Sequence, residues 1–259
     1  MPTRKSLFAL LFLLVLIPSF LFPQIYSENY KQQQNDAMPY PRNMVINRGL
    51  PFEVNNEFSA TSAIGASKKL TLAINDFSEK ISRKTGIVIS EENKFSSRSA
   101  GLLVYAENES PAGIITDESY TIEVTQYRII LKAKTDIGAL RGLQTILQLV
   151  QFANGKYYIP ACRISDTPRF PWRGLMMDVS RHFMPVEVIK RNIDGMAAVK
   201  LNVLHLHHAD NQGFRVDCKT FPKLHGLGSD GNYFTQEQIK DIIKYANDRG
   251  IRVVPEFDI

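Results

Sequence analysis

The chain has 259 residues, which suffices for one large domain or two of ordinary size. Apolar residues make up 44% and charged residues 22%, values of a globular protein that exclude a disordered one. The net charge of +5 is small and basic residues are scattered, which argues against a nucleic-acid-binding protein. Two cysteines, Cys162 and Cys218, are too few for a disulfide scaffold; they form either one bridge or two free thiols.

Residues 1–23 are predicted to be a signal peptide or an uncleaved membrane anchor. Arg4 and Lys5 precede an apolar run from Leu7 to Ile17, the order found in secretory signals. No clear small-residue cleavage site follows, so the anchor stays open as the alternative. We expect an exported protein, periplasmic or extracellular (lysosomal in a eukaryote), with membrane contact only through this segment.

Residues 24–39 are polar and predict a linker, and residues 40–165 predict an α+β domain. Apolar spacing predicts a helix over Ser62–Lys84 that Gly86 ends, and a second helix from Thr135 to about Gln151. The predicted strands are Ile87–Ile89, Gly101–Tyr105, Tyr120–Val124, Tyr127–Ala133 and Tyr157–Ile159. The third and fourth should form a hairpin. A sheet with two helices on one side and no motif of its own chemistry indicates a support domain.

Residues 166–259 follow a strand–helix repeat and predict the first part of a (β/α)8 barrel, with three strands and two helices. A proline-rich stretch at 160–171 leads into it and predicts an extended connection. Strands in a β-α-β-α-β order are parallel neighbours, which must be covered on both faces or close into a barrel. The predicted strands are Leu175–Val179, Leu201–His207 and Ile251–Phe257, with helices starting at Pro185 and at a Thr235–Gln238 capping box.

Ionisable side chains cluster at the ends of these three strands. In a (β/α) barrel the carboxyl ends of the strands open at one mouth, where the active site lies. We therefore expect one polar site built from Asp178, Arg181, His182, His205, His207, Asp210, Glu256 and Asp258. Asp178 lies inside a strand and needs a partner, such as Arg173 or Arg181, because an unpaired buried charge is costly.

The same residues allow two other interpretations. His205, His207 and Asp210 offer imidazole and carboxylate ligands within six residues, as in a metal-dependent hydrolase. Alternatively, the two histidines share one face of a strand as ordinary structural residues. Glu256 and Asp258 would then form an internal ion-pair network.

Three stretches resemble the family 20 glycoside hydrolases, the β-N-acetylhexosaminidases. They are Phe170–Phe183, Lys200–Arg215 and Gly250–Asp258, in the order and spacing of that family. The upstream domain also resembles the α+β domain that precedes the family's barrel. The resemblance therefore covers residues 40–259.

The resemblance implies an exo-acting enzyme that removes terminal β-linked N-acetylglucosamine or N-acetylgalactosamine from glycans or chitin oligosaccharides. Its mechanism would be substrate-assisted and retaining, with no metal or organic cofactor and no nucleic-acid partner. By position, Arg181 and Asp210 would bind hydroxyls of the terminal sugar. The other six strand-end residues would support the site.

This sequence departs from the family in four respects. Asn211 stands where the family usually repeats Asp, Phe214 replaces Trp, and His208 replaces an apolar residue. The family's catalytic Asp–Glu pair follows the fourth strand, which would lie beyond Ile259, so no residue here is assigned as catalytic. We expect a fragment that is inactive by itself; an inactive, secreted carbohydrate-binding remnant is the remaining alternative.

The N-terminal pattern predicts export. N-terminal sequencing of the exported protein should begin between Pro23 and Asn35, because cleavage follows the apolar run. Recovery of a soluble cytoplasmic form that retains Met1 would contradict this prediction.

Overall fold

A computed structural model describes residues 37–63, 65–89 and 100–258. The predicted signal or anchor, and the linker up to residue 36, lie outside these ranges. Among the helices formed by the described residues, none has the length and apolar character to span a bilayer.

The first domain contains one large mixed sheet and one small antiparallel sheet. In chain order, its strands within the described residues are β1 (Asn43–Ile46), β2 (Phe52–Val54), β3 (Ala60–Ser62), β4 (Leu102–Asn108), β5 (Tyr120–Val124), β6 (Ile129–Thr135), β7 (Gln151–Ala153), β8 (Lys156–Ile159) and β9 (Cys162–Asp166). The large sheet has the order β1-β9-β5-β6-β4-β3, with β6, β4 and β3 parallel. Strands β2, β8 and β7 form a small antiparallel sheet.

Two helices, α1 (Lys68–Thr85) and α2 (Asp136–Gln148), contact each other and the large sheet. The hydroxyl of Ser67 accepts a hydrogen bond from the backbone of α1, and Gly86 ends that helix in the left-handed conformation, with φ of 72°. The hydroxyl of Thr135 accepts a hydrogen bond from the backbone N–H of Gly138 and so caps the start of α2. The apolar faces of both helices meet the sheet in one core, which confirms the predicted α+β fold.

Several details of the predicted domain are wrong. Residues Ile87–Ile89 form no strand, and the helix predicted from Ser62 begins six residues later because β3 occupies its expected start. Strands β1, β2, β3 and β7 were not predicted, since three or four residues are too short to show a period. Strand β9 was taken for a connection; its buried residues alternate correctly, but the flanking prolines outweighed that signal.

The second part of the chain contains the expected start of a barrel. Its elements are β10 (Gly174–Asp178), α3 (Val186–Ala198), β11 (Val203–Asp210), β12 (Gly213–Phe214), α4 (Pro222–Gly228), α5 (Gln236–Asn247) and β13 (Arg252–Phe257). Strand β11 pairs in parallel with β10 and β13, and α3 packs on α5 over one face. The three parallel strands and two long helices are therefore confirmed, whereas β12 and the short α4 were missed.

The helix starts of this part largely agree with the sequence. The capping box is present, since Thr235 and Gln238 exchange side-chain and backbone hydrogen bonds. Pro185 is extended, with ψ of 162°, and precedes α3 instead of starting it.

Both cysteines are free, so the disulfide alternative is wrong. Cys162 is buried in β9, while Cys218 follows β12 and is half-buried. Burial raises the pKa of the Cys162 thiol to about 12, so this thiol stays protonated and unreactive at neutral pH.

A buried carboxylate joins the two domains. Glu118 accepts hydrogen bonds from Arg141 Nε at 2.6 Å, Arg173 Nη2 at 2.5 Å and Asn202 Nδ2 at 2.9 Å. The side chains of Glu118 and Arg141 are only 5% and 2% exposed. Arg141 also donates to the carbonyl of Gly250 at 2.6 Å, so α2 of the first domain reaches the barrel directly.

This network gathers the amino ends of all three parallel strands. Arg173 precedes β10, Asn202 precedes β11, and Gly250 precedes β13. The first domain thus closes the bottom of the partial barrel and leaves the carboxyl ends of the strands open. Arg173, one predicted partner of Asp178, lies at the opposite end of β10, so that part of the prediction is wrong.

Replacing Glu118 should destabilise the protein strongly. Glu118→Gln leaves the buried guanidinium of Arg141 and the half-buried one of Arg173 without a counter-charge, which costs about 3–5 kcal/mol. Glu123→Gln is the matched control, because Glu123 pairs with Arg163 where both side chains are exposed; it should cost less than about 1 kcal/mol. Urea unfolding measures both, and equal losses would show that the interface pair is not essential.

Candidate functional site

The register of the parallel strands places three ionisable residues in one row. Asp178 of β10 lies opposite His207 of β11, which lies opposite Glu256 of β13. Parallel neighbours at one level point to the same face of a sheet, and His205, two residues earlier, shares that face. The row stands near the carboxyl ends of the strands, at the mouth expected from the sequence.

Hydrogen bonds connect this row into a chain of alternating charges. Glu256 Oε2 lies 2.8 Å from both His205 Nε2 and His207 Nδ1. The other ring nitrogen of His207 lies 3.4 Å from Asp210 Oδ2. Arg181 follows, donating to Asp210 and, at 2.5 Å, to Asp178 Oδ2. Of the two predicted partners of Asp178, Arg181 is therefore correct.

The surroundings keep these groups ionised. The backbone N–H of Asn211 lowers the pKa of Asp210, and the hydrogen bond to His207 lowers that of Glu256. Desolvation opposes ionisation of Asp178, but hydrogen bonds from Arg181 still lower its pKa.

The pKa of His207 is raised, whereas the pKa values of the carboxylates are lowered. Desolvation favours its neutral form, but the hydrogen bonds to Glu256 and Asp210 raise its pKa overall. In the protonated form both ring nitrogens donate to carboxylates, so neither is free to bind a metal. This disfavours the alternative interpretation of His205, His207 and Asp210 as a metal site. The same argument applies to His207 with Glu256 and Asp258, whose ligand atoms lie within 4.8 Å of one another.

Two predicted site residues are less well placed. His182 is exposed and makes no hydrogen bond or ion pair with the described part of the chain. Asp258 is also exposed, and its backbone N–H donates to the carbonyl of Ala209 at 3.3 Å. Their supporting roles stay predictions.

A buried arginine that the sequence analysis assigned no role holds the site loops together. The guanidinium of Arg215 donates to the carbonyl of Ser180 at 2.8 and 3.1 Å and to that of Ser229 at 2.6 Å. Ser180 Oγ in turn donates to the carbonyl of Gly213 at 2.7 Å. A Cβ on Gly213 would lie 2.3 Å from the guanidinium carbon of Arg215, so a larger residue there would displace the guanidinium from its acceptors. This clamp fixes the backbone immediately before Arg181.

Only part of this clamp is visible in the sequence. Arg215 follows the second strand within one of the three family-like stretches, and a buried arginine always needs several acceptors. Those acceptors are backbone carbonyls, which leave no trace in the sequence.

His208 points to the face opposite His207. It is 2% exposed and packs between Phe257, with ring centres 5.4 Å apart, and Phe234, at 6.0 Å. Its Nδ1 has no hydrogen-bond partner among the described residues. Desolvation, assisted by the charge of His207, lowers the pKa of His208 to about 4, so it is neutral at physiological pH.

Known sequences match both parts of the chain. The profile "Glycosyl hydrolase family 20, domain 2" matches residues 36–167, and "Glycosyl hydrolase family 20, catalytic domain" matches residues 170–259. Beta-hexosaminidase subunit beta from Mus musculus is 44% identical over 156 residues, which are 59% of this chain and 29% of that protein. The Homo sapiens protein of the same name is 46% identical over 148 residues, 56% of this chain and 27% of its own length. The chain thus spans less than a third of these relatives.

Solved structures show the same similarity. The chitobiase of Flavobacterium johnsoniae is 42% identical with a TM-score of 0.82, over 88% of this chain and 36% of that one. An exo β-N-acetylglucosaminidase from Vibrio harveyi, solved in complex with N-acetylglucosamine, is 28% identical with a TM-score of 0.71, over 87% of this chain and 36% of its own.

The buried His208 should make the protein sensitive to mild acid. The unfolded chain binds a proton at this histidine near pH 6.5 and the folded chain only near pH 4. The contribution of His208 to the free energy of unfolding is therefore fully present above pH 6.5. It decreases by about 3 kcal/mol as the pH drops toward 4. His208→Leu should remove this part of the pH dependence in urea unfolding.

The control for that experiment is His182→Leu, which changes an exposed histidine and should keep the wild-type pH profile. Parallel profiles for wild type and His208→Leu would contradict the assignment.

Proposed function

The chain belongs to glycosyl hydrolase family 20, and we propose that its protein removes terminal β-linked N-acetylglucosamine or N-acetylgalactosamine from glycans or chitin oligosaccharides. Beta-hexosaminidases among its relatives and the N-acetylglucosamine complex of a structural neighbour support this substrate class. We also propose that the protein is exported, on the basis of its N-terminal pattern.

The observation that carries the proposal is the position of Arg181 between Asp178 and Asp210. Its side chain is 54% exposed, so a ligand entering the mouth reaches it, while Asp210 is 16% exposed and held by three neighbours. A guanidinium donates and a carboxylate accepts, and a sugar hydroxyl does both. Because the ion pairs already fix both groups, binding a sugar requires little reordering of side chains.

The remaining residues act on this pair. Glu256 orients His207, and His207 together with Arg181 keeps Asp210 ionised and directed toward the mouth. The Arg215 clamp holds the loop that carries Arg181. In this proposal Arg181 and Asp210 bind the terminal sugar, and the others position them.

The chemistry would follow the substrate-assisted scheme of the family. The carbonyl oxygen of the substrate's acetamide forms a bond to the anomeric carbon as the bond to the leaving oxygen breaks, and an acid donates a proton to that oxygen. Water then opens the cyclic intermediate, so the anomeric configuration is retained. Family 20 assigns the acid and its aspartate partner to the end of the fourth strand, outside residues 37–258. We therefore expect residues 1–259 alone to be inactive.

Two alternatives remain as outcomes of the test. A metal-dependent hydrolase using His205, His207 and Asp210 is disfavoured because both nitrogens of His207 contact carboxylates. An inactive carbohydrate-binding protein would bind N-acetylglucosamine without hydrolysis.

A chimera tests the proposed roles. Residues 36–259 would replace the matching segment of the Flavobacterium johnsoniae chitobiase, whose remaining chain completes the barrel. We expect hydrolysis of an aryl N-acetyl-β-glucosaminide. Arg181→Ala and Asp210→Ala should each lower kcat/KM about 30- to 1,000-fold, because each change leaves a polar group of the bound sugar without its partner. Arg191→Ala, an exposed arginine on α3, is the matched control and should have no effect.

The same assay addresses the alternatives. Residues 1–259 alone should show no turnover above background, and the chimera should keep its activity after exhaustive chelation. Turnover by residues 1–259 would show that the active site is misplaced here, and loss of activity on chelation would revive the metal interpretation.

A further inference from the structure

A cavity of about 170 Å³ lies between the first domain and the bottom of the partial barrel. Its inner wall carries buried polar side chains, including Lys200 from the segment before β11 and Tyr120 from β5. Exposed residues, Tyr40, Arg169 and Phe170, form its rim. The cavity is thus open to solvent on one side and charged at its base.

Positive charge exceeds negative charge in this cavity. Glu118 already serves both Arg141 and Arg173. The carboxylate of Asp166 accepts from the hydroxyl of Tyr120 at 2.6 Å and from the backbone of Arg42 at 2.9 Å. With Lys200 included, three cations face two carboxylates, and Arg169 at the rim adds a fourth cation that pairs with no carboxylate in the described ranges.

Lys200 is the least satisfied of these cations. It is 5% exposed, and the one hydrogen bond recorded for its ammonium within the described structure is to Tyr120 Oη, at 3.4 Å. An ammonium carries three donors, and leaving them without acceptors in a buried site is costly. The cavity, which solvent reaches, therefore has an excess of two positive charges. At its base, Lys200 has hydrogen-bond donors without acceptors.

We propose that this cavity binds a divalent oxyanion, such as sulfate or hydrogen phosphate, through Lys200 at its base and Arg169 at its rim. The volume suffices for such an anion with a few water molecules, since one water occupies about 30 Å³ in the liquid. A divalent anion matches the excess charge, and its oxygens supply the acceptors that Lys200 lacks. Because Lys200 belongs to the barrel part and Tyr120 to the first domain, the anion would strengthen their contact.

Binding should depend on pH through Lys200. Desolvation, together with the charges of Arg141 and Arg173, lowers the pKa of Lys200 to about 8, against the opposing effect of Asp166. Desolvation and Asp166 raise the pKa of Tyr120, so this neighbour stays neutral over the same range. The fifth charged group of the inner wall, Glu118, is held by both arginines. The site should thus lose one of its two proposed anion-binding cations, and with it most of its affinity, as the pH rises through about 8.

Thermal unfolding of the full chain tests the proposal. Sodium sulfate is titrated against sodium chloride at constant ionic strength, because sulfate stays divalent from pH 6.5 to 9.5. We expect a saturable rise in Tm at about pH 6.5 that is lost by about pH 9.5. Lys200→Met should abolish the rise, and Lys223→Met, an exposed lysine on α4, should preserve it.

Arg169→Gln provides a second variant that does not depend on a buried substitution. Arg169 is exposed, so this protein should fold normally while its sulfate dissociation constant increases about tenfold. Hydrogen phosphate should replace sulfate at about pH 7.5, where most of it is divalent, and acetate should not. Two outcomes would overturn the proposal: a rise in Tm with sulfate that is equal in the wild type and all variants, or a rise with acetate that equals the rise with sulfate.

Discussion

One buried carboxylate, that of Glu118, determines how the two parts of this chain fit together. It accepts from Arg141 on the first domain's helix and from Arg173 and Asn202 at the starts of two barrel strands. Such partners stabilise a carboxylate that is so completely enclosed, and both arginines lose their counter-charge without Glu118. The amino ends of the strands are consequently held together, and parallel pairing then defines the level of every residue further along each strand.

The row of ionisable side chains at the mouth follows from that alignment. Asp178, His207 and Glu256 meet at the carboxyl ends because all three strands are parallel and start together. Unlike Glu118, the carboxylates of Asp178 and Glu256 are partly exposed, and exposed ion pairs add little stability. What they provide is position: their charges hold the side chains of Arg181 and Asp210 in place at an open mouth, where a guanidinium donor lies beside carboxylate acceptors.

Adjacent residues of β11 illustrate how a strand serves two environments. His207 faces the mouth, where carboxylates raise its pKa, and His208 faces the helix layer, where aromatic rings and its neighbour's charge lower its pKa. The same residue type thus binds a proton more tightly on one side of the strand and less tightly on the other. In the relatives of this family an apolar residue is expected at the second position, so this chain accepts a buried imidazole where packing alone would suffice.

The sequence by itself determined the elements with local signals: the helices capped by Thr135 and Thr235, the β5–β6 hairpin, the three barrel strands and the family. It also placed Arg181 and Asp210 near the ends of strands that meet in a barrel. Only the tertiary structure decided which partner Asp178 takes, that Arg173 binds Glu118, and that Arg215 clamps the site loops. These contacts join residues up to 55 positions apart, or use backbone carbonyls that every residue possesses. Short-range periodicity contains neither kind of information, because such pairings exist only after the elements have packed.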